Sequence, residues 1–278
     1  MRVDNSNVAM IEAPPSPKVA SGPHAVSGNG SLMIAVRSLK KQIDGQEILR
    51  GVDLEIRKGE TLVLIGRSGG GKSVLLKHII GLMEPDSGEI LIEGQNIVGL
   101  NERRLAAIRE KVGILFQGGA LFDSMTVEDN IVFPLLEAGE RDPKVLRSRV
   151  AEMLEVTEME GQEEKMPESL SGGMKKRVGL ARAIIRRPSC VLYDEPTAGL
   201  DPVVADSINK LIRCLQGRFG ITSVVVTHDM KSAFDVADQI AYLHQGRVYF
   251  HGTPGELQQS SDPLIQDFLL GRSETWRD

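Results

Sequence analysis

The sequence predicts an α/β fold built on a mainly parallel β-sheet. Three observations lead there. Continuous apolar runs, TLVLI at 61–65 and CVLYD at 190–194, read as strands covered on both faces. Stretches of helical spacing alternate with these runs, the pattern of crossover helices between parallel strands. The glycine-rich segment GRSGGGKS at 66–73 sits between one such strand and a helix.

Residues 1–32 carry Pro14, Pro15, Pro17 and Pro23 among Ser, Gly and Ala without periodicity, which predicts a disordered tail with order beginning near Met33. VDLEI (52–56) alternates like a half-buried strand, and TLVLI follows as a fully buried one. SVLLKHII has helical spacing, EILIE alternates again after the turn PDSG, and VGILF (112–116) is a further strand. From Met125 to about Ile185 the pattern is helical; PKVLRSRVAEMLEV sets Val145, Leu146, Val150, Met153 and Leu154 on one face. Strand character returns in CVLYD, SVVVTH and QIAYL, interleaved with a helix that opens at Asp201-Pro202, an N-cap aspartate followed by proline. There is no internal repeat.

With 278 residues, 41% of them hydrophobic, the chain can bury a sizeable core in one domain with a subdomain. A formal net charge of -5 argues against a nucleic-acid partner, which calls for a basic footprint. The basic runs at 175–177 and 186–187 read as solvated helix faces at least as readily as a partner site. Cys190 in an apolar run and Cys214 on a helical pattern predict buried free thiols in a reducing compartment. No apolar run is long enough for a membrane span, and MRVDNSNVAM has an acid where a signal peptide needs apolar residues, so the chain is expected in the cytosol.

GRSGGGKS has the strand–loop–helix context that a phosphate-binding loop requires. Its members Gly66, Arg67, Ser68, Gly69, Gly70 and Gly71 let backbone N–H groups converge on phosphate oxygens. Lys72 then reaches the β- and γ-phosphates, and Ser73 offers its hydroxyl to Mg²⁺. CVLYDEP ends a buried strand in Asp194 and Glu195, at the sheet edge where parallel-sheet ligands sit. Asp194 suits Mg²⁺ and Glu195 suits polarising an attacking water; two solvated acids at a strand end is the plainer alternative. His228 ends SVVVTH and Gln117 follows VGILF, and neither means much alone. His24, His78, His244 and His251 show no ligand spacing, so no structural metal is expected. LSGGM at 170–174 is a second serine-glycine turn that opens a helix far from the first.

Together these motifs resemble the nucleotide-binding subunit of an ABC transporter: the phosphate loop, a glutamine loop at Gln117, the signature LSGGM, the acid pair in CVLYDEP, a D-loop AGLD at 198–201, and a switch histidine at His228. They cover about residues 33–247. The resemblance implies a P-loop NTPase with a RecA-like core, an antiparallel β edge and an inserted helical subdomain at about 125–185. The ATPase domain is then residues 33–258, and 259–278 form a C-terminal tail. It also implies a head-to-tail homodimer in which Ser171, Gly172 and Gly173 close on the ATP held by the other copy's phosphate loop. Gln117 then senses Mg²⁺ and the attacking water, His228 contacts the γ-phosphate, and Asp201 couples the two sites.

Three positions depart from the family pattern. Ile43 stands where an aromatic side chain ordinarily stacks on adenine, Val74 where a hydroxyl residue ordinarily follows the phosphate loop, and Met174 where the signature ordinarily ends in glutamine or glutamate. Met174, with FQGGALFDSMTVEDNIVFPL (116–135), is similar to the ATPases of MCE-type, Mla-like transporters, which move phospholipids, sterols or related hydrophobic molecules between the inner membrane and the outer envelope. That implies a place on the cytoplasmic face of the inner membrane. The partners implied are an integral membrane permease, an MCE-domain lipid-binding protein and, in some systems, a small STAS-domain protein. The rival expectations are an importer ATPase for amino acids, metals or peptides, and a soluble ABC ATPase of iron–sulfur cluster assembly.

Overall fold

The computed structural model describes residues 31–272; all but the last two residues of the expected N-terminal tail, and residues 273–278, lie outside them. A long hairpin, β1 (Leu32–Ile43) and β2 (Gln46–Arg57), leads into β3 (Thr61–Ile65) and α1 (Lys72–Ile79). Next come β4 (Ser87–Ile92), β5 (Gln95–Asn96), α2 (Glu102–Arg109) and β6 (Val112–Leu115). Three helices follow, α3 (Val127–Glu137), α4 (Pro143–Val156) and α5 (Gly172–Ile184). The second half of the core comprises β7 (Cys190–Asp194), α6 (Pro202–Phe219), β8 (Thr222–Val226), α7 (Met230–Val236), β9 (Gln239–His244) and β10 (Arg247–Gly252). The described chain ends in α8 (Pro254–Gln259) and α9 (Pro263–Leu269).

The larger sheet has the order β10-β9-β3-β8-β7-β6. Its pairs are parallel except β9 with β10. A second sheet, β2-β1-β4-β5, is antiparallel throughout. The unbroken apolar runs have a direct cause. On β3, Leu62 and Leu64 face one buried cluster while Val63 and Ile65 face the other. On β7, Cys190 and Leu192 join the first cluster, and Val191 and Tyr193 the second. Both faces are dry, so no position is free to be polar. In β2, by contrast, Val52, Leu54 and Ile56 are buried while Asp53 and Glu55 are exposed, because only one face is covered.

The helices start where short polar side chains cap them. Asp201 accepts from the N–H groups of Val203 and Val204 ahead of Pro202, and α6 ends at Gly220 in the left-handed region. Thr126 and Asp129 form a reciprocal capping box on α3. On α4, Val150, Met153 and Leu154 are buried and Leu146 partly so, but Val145 is 39% exposed. It sits one position off the i, i+4, i+7, i+8 stripe that the other four occupy. Cys214 also departs from expectation. It is exposed on α6, outside the stripe of Ile208, Leu211, Ile212 and Leu215, while Cys190 is buried as expected. Residues 259–272, in the span expected to be a tail, include α9, which buries Ile265 and stacks Phe268 on Tyr242 with ring centroids 4.5 Å apart. No helix among the described residues is long and apolar enough to cross a membrane.

Asp238 ties three elements together at the base of the parallel sheet. It accepts from Thr61 N (2.8 Å), Arg213 (2.9 Å) and Gln216 Nε2 (2.7 Å). Burial acts to raise its pKa, but the Arg213, Thr61 and Gln216 hydrogen bonds outweigh it and hold the carboxyl below its ordinary value. A depressed carboxylate adds stability above its unfolded value and loses it as pH falls through the folded one. Asp238→Asn is therefore expected to cost about 1–2 kcal/mol at neutral pH, with the Arg213 pairing discounted for its solvent exposure. Urea unfolding across pH checks this: the gap to the parent narrows as pH falls below 3.8, and a gap that stayed constant would remove the carboxylate from the account.

Candidate active site

In the sheet order β3-β8-β7-β6, four neighbouring parallel strands end on the same side. Their carboxyl ends deliver, in that order, the glycine-rich loop, His228, the Asp194-Glu195 pair and Gln117. Strand order alone collects residues spread over 160 positions into one row, where ligands of parallel sheets bind.

The loop wraps tightly enough to exclude side chains. A Cβ at Gly66 would lie 2.5 Å from the Leu243 carbonyl oxygen. One at Gly71, whose φ is +95°, would press on Ile48 and Leu49 in β2. Gly71 caps α1 without a side-chain hydrogen bond, so the N–H groups of the first turn face the loop interior. Lys72, 7% exposed, folds back to donate to the carbonyls of Gly66 (2.7 Å) and Arg67 (3.0 Å). Burial pulls its ammonium below the ordinary lysine value, against the charges of Glu195 and Asp194. Ser68 and Gly69 are exposed, Gly70 N–H bonds back to Arg67, and Arg67 reaches the Arg272 carbonyl (3.4 Å).

Across from the loop, Ser73 donates to Asp194 Oδ1 (3.2 Å). Burial pushes the Asp194 carboxyl above its ordinary value; the Ser73 hydroxyl opposes this and the Glu195 charge adds to it. A half-buried carboxylate beside a hydroxyl is a hard-oxygen pair that a divalent cation would relieve of its desolvation. The residues present therefore fit Mg²⁺. Glu195 has a φ of +49°, unusual for a residue with a side chain. Its N–H bonds to Val226 O (2.9 Å), and its Oε1 lies 2.9 Å from His228 Nδ1.

The structure thus links Lys72, Ser73, Asp194, Glu195 and His228 in one row. Gln117 joins through its carbonyl, which accepts from Lys176. Val74 packs against the core, and Ile43 closes β1 opposite Gln46. Ile48 and Leu49, not singled out in the sequence, are the apolar residues against Gly71. The serine-glycine turn stands elsewhere. Ser171 caps α5 by accepting from Met174 N (3.3 Å), and Ser171 and Gly172 are exposed. A Cβ on Gly172 or Gly173 would meet Leu200 or Val204, so the turn packs on the start of α6.

Lys176 is the residue the sequence reading missed. It belongs to a basic run that reads as a solvated face at least as readily as a partner site, yet it is 4% exposed and donates to the carbonyls of both Gln117 and Glu195. Its signal was the spacing of Gly173, Lys176, Leu180 and Ile184, all buried on one stripe of α5.

A family model described as "ABC transporter" matches residues 49–198. The chain is 40% identical over 252 residues to "Probable ribonucleotide transport ATP-binding protein mkl" of Mycobacterium leprae (strain TN), covering 89% of this chain and 73% of the relative. It is 39% identical over 224 residues to "Intermembrane phospholipid transport system ATP-binding protein MlaF" of Escherichia coli (strain K12), covering 81% and 83%. Among solved structures, a dimeric post-hydrolysis state of the ATP-binding cassette MJ0796 bound to ADP and Pi superposes with a TM-score of 0.73 at 33% identity, over 80% of this chain and 98% of that one. The family match takes in the phosphate loop, the serine-glycine turn and the acid pair alike. The chain belongs to the ABC transporter family and is an ATP-hydrolysing cassette of that family.

Proposed function

We propose that this cassette works as a homodimer on the cytoplasmic face of the inner membrane, hydrolysing Mg-ATP to drive an MCE-type transporter of phospholipid or a related hydrophobic lipid. Its partners in this reading are an integral membrane permease and an MCE-domain lipid-binding protein, joined in some systems of this kind by a small STAS-domain protein.

The catalytic roles follow from the row of strand ends. Lys72 and the open N-terminus of α1 hold the β- and γ-phosphates, with the loop glycines admitting backbone N–H groups to their oxygens. Ser73 and Asp194 hold Mg²⁺, which neutralises charge on the phosphate oxygens when bound. Glu195 takes a proton from the attacking water, whose oxygen forms a bond to the γ-phosphorus as the bond to the ADP oxygen breaks. His228, hydrogen-bonded to Glu195, orients that carboxylate. Gln117 contributes from the adjoining strand end. Ser171 and Gly172 are exposed and Gly173 packs on Val204; a Cβ on either glycine would meet Leu200 or Val204 and not the phosphate loop, which supports the turn's acting on the nucleotide of a second copy.

The observation that carries the lipid reading is the 39% identity to MlaF over 83% of its length, together with the segment 116–135. That segment is held rigidly: fully buried Asn130 donates to the carbonyls of Phe122, Met125 and Thr126, while Phe116 and Phe122 stay 37% and 42% exposed. A fixed loop presenting aromatic side chains suits a docking site for a membrane partner. The mkl relative, named for ribonucleotide transport, favours a second reading with a polar cargo.

Tagged chain drawn from detergent-solubilised native membranes is expected to bring a multi-span permease, an MCE-domain protein and bound lipid, read by mass spectrometry. A permease that arrives with a solute-binding protein and no lipid would favour the second reading. Recovery from the soluble fraction alone would remove both.

A further inference from the structure

We propose that Lys176 is a positioning residue for hydrolysis: its ammonium, bonded to the carbonyls of Gln117 and Glu195, fixes the two strand ends that flank the attacking water to the helix that carries Ser171 and Gly172. The inference rests on the catalytic reading of Glu195 and Gln117 given above.

A buried ammonium is costly, and proteins keep one where it is fully hydrogen-bonded. Two of the three Lys176 donors go to backbone carbonyls from different strands, Gln117 after β6 and Glu195 after β7. The nearby charges of Asp194 and Glu195 oppose the desolvation that pulls its pKa down. Each anchored residue needs the help. Glu195 holds a left-handed backbone conformation that costs about 1 kcal/mol or more and persists only when its surroundings over-determine it. Val226 fixes its N–H, His228 its side chain, and Lys176 together with the Ala198 N–H its carbonyl. Gln117 sits in a turn closed by the Gly119 N–H on the Phe116 carbonyl (2.8 Å), and Lys176 fixes the carbonyl inside that turn.

The rest of α5 follows the same loop. Arg182 donates to the carbonyls of Gly119 (3.0 Å) and Ala120 (2.9 Å). A Cβ at Gly179 would come within 2.7 Å of Leu115 and 3.2 Å of Gly119 O, so helix and loop are in close contact between these anchors. One rigid helix therefore runs from Ser171 to Arg182, with Lys176 at its crossing with the catalytic row. A shift of α5 when its N-terminus engages a nucleotide is transmitted to Gln117 and Glu195 of its own chain.

The test compares Lys176→Met, which keeps the aliphatic stem and loses the donors, with Lys176→Gln, which keeps N–H donors and loses the charge. Glu195→Gln is measured alongside. Steady-state ATPase of the full chain should show kcat of the Met variant down about ten- to a hundredfold with KM for ATP within about twofold of the parent, and the Gln variant recovering most of the rate. A Met variant with parental kcat, or one whose kcat and KM worsen in parallel, overturns the proposal. So does a folded Gln variant as impaired as the Met one. Should the Met variant fail to fold, the Gln variant decides: a folded chain with near-parental kcat upholds the donor role, and a large loss removes it. If Glu195→Gln itself turned over normally, the catalytic reading would fall; a normal Met variant beside an inactive Glu195→Gln removes the Lys176 role alone.

Discussion

Replacing Glu195 by glutamine is expected to lower kcat by about 10²–10⁴-fold, the span that a positioned general base supplies, while ATP binding stays intact. Glutamine has the shape of glutamate and its amide can still bond His228 at the 2.9 Å separation. Backbone geometry at φ +49° and the Val226 and Lys176 bonds do not involve the side chain. What is lost is the basic oxygen that, in the proposed mechanism, takes the proton from water. Removing a negative charge from beside the phosphate loop also relieves repulsion with the γ-phosphate, so nucleotide affinity is expected to hold or rise. With hydrolysis blocked, the ATP-bound dimer persists, because the event that separates the halves no longer occurs. Phosphate release, nucleotide binding by fluorescence, and size-exclusion chromatography with ATP read the three consequences. Parental phosphate release by the variant would sink the assignment of Glu195 as the base, and an unchanged monomer peak would detach dimer lifetime from hydrolysis.

Much of the site is local and was therefore legible. TLVLIGRSGGGKS, CVLYDEP and SVVVTH each combine a dry strand with a polar terminus, a pattern that needs no knowledge of the neighbouring strand. What brings those termini together is the strand order β3-β8-β7-β6, which the motifs do not encode. The errors share one cause. Val145, Cys214 and Lys176 lie on helices, where one position of phase moves a side chain by about 100°. Val145 is apolar and turns outward, whereas Lys176 is charged and turns inward to carbonyl partners that arrive from 59 and 19 residues away. Residue type alone misreads both. Ile48 was overlooked for a related reason: its contact with Gly71 joins β2 to α1, and nothing in EILRG announces a neighbour in the phosphate loop.

Ser171→Arg is expected to abolish turnover while each chain still binds ATP in its own phosphate loop. Ser171 is exposed and, among the described residues, its side chain is held by the cap to Met174 N, worth about 1 kcal/mol, so the variant should fold. Arginine at that place adds a long side chain to a surface that, in the proposed dimer, approaches a second copy to within hydrogen-bonding distance of phosphate, and it replaces the hydroxyl that would face the phosphate. A cis contact and a trans contact are separated by mixing. Lys72→Ala removes the ammonium that Gly66 and Arg67 hold over the loop and should disable its own site, yet it leaves the serine-glycine turn whole. In a mixed dimer the phosphate loop of the Ser171→Arg chain meets the intact turn of the Lys72→Ala chain, giving one complete site per pair; the other site carries both defects. Two inactive preparations should therefore regain ATPase activity on mixing, to a level set by the share of mixed dimers. If the turn served its own loop in cis, both sites of every mixed dimer would carry one defect and mixing would restore nothing. A Ser171→Arg chain that dimerised and hydrolysed ATP unaided would remove the turn from the reaction altogether.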